Sequence, residues 1–450
     1  MPASDAVIAT RAPEQPWPPA REGWYVVLLL CLCAMAAFVD RQIINLLVED
    51  IKRDLHVSDT QISLLQGLAF ALFYAVAAIP LGRLADSGRR KLLIAAGMML
   101  ATAATVACGL ARSFAHFFVA RVGVGIGEAA LTPAGFSILS DMFRPMRLAL
   151  PLSVFTGASF AGSGLALLAG GAVIAWLGTI EHTVLPLVGR LSTWQAAYLL
   201  AALPGAVMAM VLLATVREPM RRTRASVLDP QQPSLREVLA FFAQHRRIVW
   251  AVFGGISLLA ANQFALGAWV PAHFIRNHGW SPSDVGYTYG LIFLFCGTGG
   301  VTSGGWLVWR LQRAGWSDAH LRVAMISALG SLPFAATFSV IDNTVGSVIC
   351  LAAAVFFGTL AFGAGPSLLP VICPPRMRAV VVAGYLLAAN LIGQAGGPAV
   401  VALFTDYFFG ANELVRYSLV AASVLLLLSG AALIYGGMAP LRSLMANIKE

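Results

Sequence analysis

The chain has 450 residues, 58% of them hydrophobic and only 11% charged, with a mean hydropathy of +0.78, which excludes an ordinary soluble domain. The formal charge of +9 could suggest a nucleic-acid partner, but the Lys and Arg residues gather in alternate short connections, as they do when they set membrane topology, so nucleic acid is excluded. What remains is an all-α integral membrane protein.

The first twenty residues contain Pro13, Pro16, Pro18 and Pro19 and no apolar run, so residues 1–23 read as a disordered tail and not a cleaved leader. Windows of about 20 apolar residues then predict twelve spans: 24–48, 61–82, 91–111, 114–140, 148–177, 194–216, 248–274, 285–309, 321–341, 344–371, 379–408 and 414–438. A polar, Arg-rich segment, 217–247, divides six from six, leaving bundles at 24–216 and 248–438 and a tail at 439–450. Within the divider, Ser234-Leu235-Arg236-Glu237 predicts the capped start of an amphipathic helix. With both termini cytoplasmic, 22 of the 30 Lys and Arg residues fall on the cytoplasmic side, which places the chain in a cell (inner) membrane with its basic loops near anionic headgroups. The six cysteines lie in or at the ends of spans without paired or metal-ligand spacing, so neither disulfide nor metal is expected.

Charges inside the spans carry the most information. Asp40 and Arg41 lie in span one, Arg121 and Glu128 in span four. Each costs roughly 2.5–3.5 kcal/mol at membrane depth and is retained where function needs it. Asp40 and Arg41 are about 100° apart on a helix and cannot pair well, while Arg121 and Glu128 are two turns apart, roughly 10 Å. The economical arrangement sets span one beside span four, with Arg41 reaching Glu128 and Asp40 nearer Arg121 or a water-filled cavity. Glu128 would be ionised beside Arg41 and favour its neutral, protonated form once a ligand took the arginine away. Asp40 is subject to the same logic, and the residues do not say which acid is the main carrier. A fixed ion cluster is the competing reading, although buried pairs stabilise poorly.

Gly125 shares a helix face with Arg121 and Glu128 and leaves room for a neighbouring helix. Stripes of small residues, Ala158, Gly162, Ala166 and Gly170 in span five and Ala389, Gly393 and Gly397 in span eleven, suit close helix approach, and their recurrence in both halves points to a moving interface. Asn262, Gln263, Tyr289 and Asn390 are polar groups at depth that could line a cavity. The histidines His116, His182, His273, His278 and His320 fall in loops or near span ends and read as interfacial. Two bundles joined by a polar connector are the plan of secondary transporters, with the ligand site near the midplane between them. No HExxH, GxSxG or phosphate-loop lysine motif occurs, which argues against an enzyme.

After span two comes Gly82-Arg83-Leu84-Ala85-Asp86-Ser87-Gly88-Arg89-Arg90-Lys91. This run resembles the signature loop of the major facilitator superfamily, with Ser87 where a basic residue is usual and the glycine one place early. The resemblance implies two pseudo-symmetric six-helix bundles and a cytoplasmic latch in which Asp86, with Gly82, Arg89 and Arg90 around it, meets the start of span eleven. The matching position after span eight holds Trp309 in place of an acid. Within that superfamily, Asp40-Arg41, the run from Arg121 to Gly127-Glu128 with Pro133, and Asn390 through Gly397-Pro398 to Asp406 are similar to the Spinster lipid transporters across nearly the whole chain. That likeness implies proton-coupled alternating access for a lysophospholipid, a phosphorylated sphingoid base or another amphipathic anion, by a monomer with no cofactor beyond the proton. A small-anion symporter or drug exporter of the same superfamily, and a non-transporting receptor or scaffold, are the alternatives.

Overall fold

The structure, a computed structural model, describes residues 17–144, 147–180, 183–185, 189–221 and 235–449. Among the described residues, twelve helices are long and apolar enough to cross a membrane: Ala20–Leu46, Asp59–Ala85, Arg90–Gly109, Phe114–Met142, Leu150–Gly178, Thr193–Thr215, Arg246–His278, Pro282–Arg313, Ala319–Thr337, Thr344–Gly365, Val380–Phe409 and Asn412–Ala446. They are spans one to twelve below. Each coincides with a predicted span to within several residues, span twelve running eight residues past its predicted end at 438.

Residues 1–16 and 222–234, including Ser234, lie outside the described segments. The helix expected after Ser234 is present over Leu235–Gln244. It lays Val238, Phe241 and Phe242 against the second bundle, with Phe242 and Phe253 rings 5.3 Å apart. Part of its apolar face is thus covered by the protein itself. Between spans five and six, a hairpin pairs Thr183–Leu185 with Gly189–Leu191, an element absent from the sequence expectations.

Span four has one irregular turn. The regular α-helical ladder lapses at Ala129 and Ala130, although Ala129 N–H still reaches the Gly125 carbonyl at 3.2 Å. Pro133 explains the lapse: it has no N–H for the carbonyl four residues back, and its ring crowds that turn. The Glu128 carboxylate therefore sits at the end of a helical segment.

The small-residue stripes pack inside bundles, contrary to expectation. A Cβ on Gly162 would lie 3.2 Å from Met35, and one on Gly170 would lie 3.3 Å from Leu46, both in span one. Gly393 and Gly397 face Ala260, Phe264 and Ala261 of span seven. The contact between bundles uses the opposite face of span five. There, Gly164 would place a Cβ 2.8 Å from the Gly290 carbonyl, and Gly286 would place one 2.8 Å from the Gly171 Cα. Spans two and eleven approach as closely, Gly67 lying against the Gln394 carbonyl, 2.6 Å from where its Cβ would be. Spans two, seven, eight and eleven each contain a π-helical stretch, at Leu64–Leu68, Trp250–Ile256, Phe293–Gly297 and Ala389–Ala395, with a further one at Phe404–Phe409. Such widened turns weaken the regular i→i−4 ladder where they occur.

At the end of the molecule that carries the divider, each half is fastened around a buried charged residue. Arg90 is 1% exposed; it pairs with Asp141, donates from Nε to Glu218 (3.0 Å) and reaches the carbonyls of Ser137 and Pro219. In the second half, the fully buried Asp318 accepts from Arg322 at 2.6 Å and pairs with Arg442 at 3.3 Å. The sign of the central charge is reversed between the halves.

Candidate functional site

Spans one and four meet as their charges require. Arg41 pairs with Glu128, donating from Nε to Oε2 at 2.7 Å and from Nη2 to the same oxygen. Asp40 points the other way round span one, accepting from Thr105 Oγ1 of span three at 3.0 Å, with Arg121 Nη1 3.9 Å from its Oδ2. Arg121 is almost fully buried and donates from Nε to the Leu65 carbonyl at 3.1 Å. That carbonyl is within the π-helical stretch of span two, where a departure from α geometry changes backbone pairing.

Phe70 lies between the two arginines. The Arg41 guanidinium carbon is 4.2 Å from its ring centre and the Arg121 one 5.6 Å, while Arg41 is also 4.8 Å from the Phe38 ring. These contacts compensate part of the lost hydration of each cation. Gly125 has the role its face suggested: a Cβ there would lie 2.6 Å from the Phe70 carbonyl, so its absence lets span two come close enough to present that ring.

Arg41 and Glu128 open on a cavity walled by Phe38, Tyr74, Thr132, Phe136, Phe155 and Ser159 of spans one, two, four and five. The Tyr74 and Thr132 hydroxyls are 3.3 Å apart. Arg41 keeps 19% of its side chain exposed, against 4% for Glu128, so the arginine is the member of the pair within a ligand's reach. A wall with one cation, a few hydroxyls and several aromatic rings can hold a molecule that is anionic at one end and apolar along its length.

The polar groups of the second bundle are placed differently from expectation. Asn262, Gln263 and Tyr289 are 0%, 6% and 2% exposed, buried in helix packing; Gln263 donates to the Val355 carbonyl at 3.4 Å. Asn390 alone is partly exposed, and its amide donates to its own helix at Leu386, 2.8 Å away. Of the signature-loop residues, Gly82 faces Pro133 at 3.9 Å from its would-be Cβ, Arg89 is exposed, and Arg90 holds the first bundle together. The Asp86 side chain lies outside the described residues. His116 is exposed, but His273 and His320 are buried, at 0% and 4%, and are not interfacial; His182 lies outside the described residues. The described cysteines are all free, and among the described residues no group of three or more His, Cys, Asp or Glu side chains assembles.

A second ionic site lies at the opposite end of the molecule from the divider and joins the two halves. Arg276 of span seven donates to both oxygens of Asp59 at 2.7 and 2.8 Å, and to Glu49 at 2.7 Å. Lys52 pairs with the same Asp59 and donates to Asn412 Oδ1 at 2.8 Å. Asp406 caps the start of span two by accepting from Thr60 N at 2.7 Å. Deeper, Gln66 donates to Asn45 at 3.0 Å and to the Ala268 carbonyl of span seven at 3.3 Å. Asp59 is fully buried and Arg276 nearly so. Nothing in the sequence singles out Lys52 or Arg276 as partners of Asp59; the one local signal nearby is the Ser58 capping box that starts span two.

The Major Facilitator Superfamily profile matches residues 30–398. The chain is 29% identical over 410 residues to an MFS-type efflux pump of Mycolicibacterium smegmatis, covering 90% of this chain and 89% of that one. It is 27% identical over 395 residues to the sphingosine-1-phosphate transporter SPNS2 of Danio rerio, covering 82% and 73%. Among solved structures, a bacterial homolog of the human lysosomal transporter Spinster, inward-facing and unoccupied, superposes with a TM-score of 0.82 at 24% identity, covering 95% of this chain and 99% of that one. Charges buried on facing spans, six helices in each half and glycine contacts between the halves agree with that likeness, and the chain belongs to the Major Facilitator Superfamily as a multi-pass membrane transporter with Spinster-like relatives, not an enzyme.

Proposed function

We propose that the protein is a proton-coupled transporter of an amphipathic anion, such as a lysophospholipid or a phosphorylated sphingoid base, working by alternating access of bundles 24–216 and 248–438. The observation that carries this reading is the Arg41–Glu128 pair on an aromatic cavity wall. An anionic headgroup competes with Glu128 for Arg41, and a carboxylate deprived of its cation in a low-dielectric site takes up a proton. Apolar chains then lie along Phe38, Phe136 and Phe155. The similarity to a sphingosine-1-phosphate transporter supports this cargo class.

Both termini are cytoplasmic in an inner membrane, by the distribution of Lys and Arg. The Arg276–Asp59 end is then the outer one, and in this structure it is closed. The working unit is a monomer, needing no cofactor beyond the proton. Likeness to an efflux pump favours, as a second reading, export of a small amphipathic drug by the same site.

The test is uptake by proteoliposomes under an imposed pH gradient, with a single-chain phospholipid, a phosphorylated sphingoid base, a sugar acid and a cationic drug as cargoes. Gradient-driven flux is expected for the anionic lipids. It should fall at least about tenfold, equivalent to about 1.4 kcal/mol, in Asp40→Asn, Arg41→Ala and Glu128→Gln, with the folded yield kept. Flux that ignores the gradient removes the coupling, and preference for the cationic drug favours the second reading.

A further inference from the structure

Where the helix Leu235–Gln244 runs into span seven, the chain turns at His245 and leaves a cavity of about 260 Å³ between that corner and Pro440 of span twelve. Gln244, His245, Arg246, Arg247 and Ile248 make the rest of its wall, and none of the residues lining it is acidic. It shares no residue with the Arg41–Glu128 cavity.

Arg246 and Arg247 are exposed, and among the described residues neither guanidinium has an ion-pair or hydrogen-bond partner. Other arginines at this end are engaged: Arg90 by Asp141 and Glu218, Arg322 and Arg442 by Asp318, Arg310 and Arg313 by the rings of Trp306 and Trp309 at 5.3 and 4.2 Å. Two adjacent unpaired cations repel each other, and an anion held between them relieves that repulsion. Phosphate fits these donors, since each guanidinium offers its oxygens two parallel N–H groups. The His245 ring, 4.8 Å from that of Phe241, is held in the same wall. Pockets that enclose a whole small molecule run to about 300–1,000 Å³; this one is smaller and suits a headgroup whose chains stay outside.

The corner also stands at headgroup depth. Trp250, one turn into span seven and on the face of Arg246 and Arg247, is 62% exposed. Tyr435 of span twelve is 75% exposed and lies at the same depth, two residues from the Gly437 whose Cβ would be 2.4 Å from Ala251. Exposed Trp and Tyr rings near span ends mark the level where hydrocarbon meets headgroups. Leu239, on the uncovered side of the helix Leu235–Gln244, is 56% exposed, an apolar side chain that hydrocarbon accepts better than water.

We propose that this corner binds the phosphate of an anionic phospholipid in the leaflet at the divider end, with Arg246 and Arg247 on the headgroup and the chains along Trp250. Bound lipid joins the helix Leu235–Gln244 to spans seven and twelve and braces the junction between the divider and the second bundle. The site is independent of cargo and of proton coupling. Phosphatidylglycerol has the required chemistry, a singly negative phosphate diester with an uncharged glycerol. Phosphatidylcholine carries the same phosphate, but its choline cation is repelled by the arginine pair.

Thermal unfolding of the purified full-length protein in detergent, titrated with phosphatidylglycerol, phosphatidylcholine or inorganic phosphate, tests this. Phosphatidylglycerol should raise the unfolding temperature by a few degrees, as a ligand of the folded state does, and the other two should leave it unchanged. Arg246→Gln/Arg247→Gln should unfold like wild type without lipid, because both side chains are exposed and unpaired. Its half-saturating phosphatidylglycerol concentration should rise at least about tenfold. Arg310→Gln/Arg313→Gln removes the same charge at the same end and should respond as wild type does; an equal loss there means diffuse attraction and overturns the site. Arg41→Ala should also keep the response, and its loss in that variant would put the lipid in the cargo cavity instead. A shift reproduced by inorganic phosphate assigns the corner to soluble anions and overturns the lipid. No shift with phosphatidylglycerol, an equal one with phosphatidylcholine, or an unchanged titration in Arg246→Gln/Arg247→Gln overturns the proposal outright.

Discussion

At the scale of single residues, Arg41 is the centre of the account, and its neighbours define what replacing it does. Glu128→Gln keeps an acceptor for the Arg41 N–H groups and removes the exchangeable proton. Its thermal unfolding in detergent should stay within a few degrees of wild type while gradient-driven flux disappears, which unfolding scans and uptake assays read separately. Arg41→Ala removes the group that meets the headgroup, and anionic cargo should no longer bind. Phe70→Leu removes the ring between two guanidinium groups, contacts worth about 0.5–2 kcal/mol each. It should lower cargo affinity by about three- to thirtyfold, read by titration, with the proton response retained. The pairing of Arg41 with Glu128 was legible in the sequence because four charges in two spans admit few arrangements. Thr105 and Phe70 were not, because a hydroxyl or a ring within an apolar span carries no sign of which neighbour it faces.

At the scale of helices, the two bundles meet through backbone contacts of spans five and eight. Gly286 and Gly290 admit no side chain without displacing the Gly171 or Gly164 backbone. Overpacking of this kind costs typically about 1–3 kcal/mol. Gly290→Leu should therefore lower the unfolding temperature and stop transport, whereas Gly162→Ala, which meets only Met35 and Phe38 inside the first bundle, should transport at a rate near wild type. Uptake rates of the two variants check this. The stripe read from the sequence was the other face of span five. That helix is apolar all round, with small residues on two faces, so periodicity alone could not say which one met the other half. The irregular turn after Glu128 had a visible cause in Pro133, whereas the π-helical stretches depend on tertiary contacts and had none.

At the scale of the whole molecule, twelve spans were readable because twenty-residue hydropathy acts one segment at a time. The ionic closure at the other end was not, because Asp59, Glu49 and Arg276 lie in different halves and meet only when the bundles dock. Removing one partner of such a buried pair costs about 3–5 kcal/mol. Arg276→Ala should thus shift the balance of states by roughly a hundred- to several-thousandfold toward an open outer end. Spin labels at His56 and Glu413, read by double electron–electron resonance, should report a longer distance in the variant; an unchanged distribution removes these residues from the gate.

The coupling itself is tested most directly by proton uptake on binding, with no gradient and no transport. When a phosphorylated single-chain lipid is added to the purified protein in weakly buffered detergent solution, the account requires protons to be taken up, the solution turning alkaline in proportion to bound cargo, and no such change with Glu128→Gln. Tight binding of the lipid by the wild-type protein with no proton uptake, or the same uptake by Glu128→Gln, would contradict it.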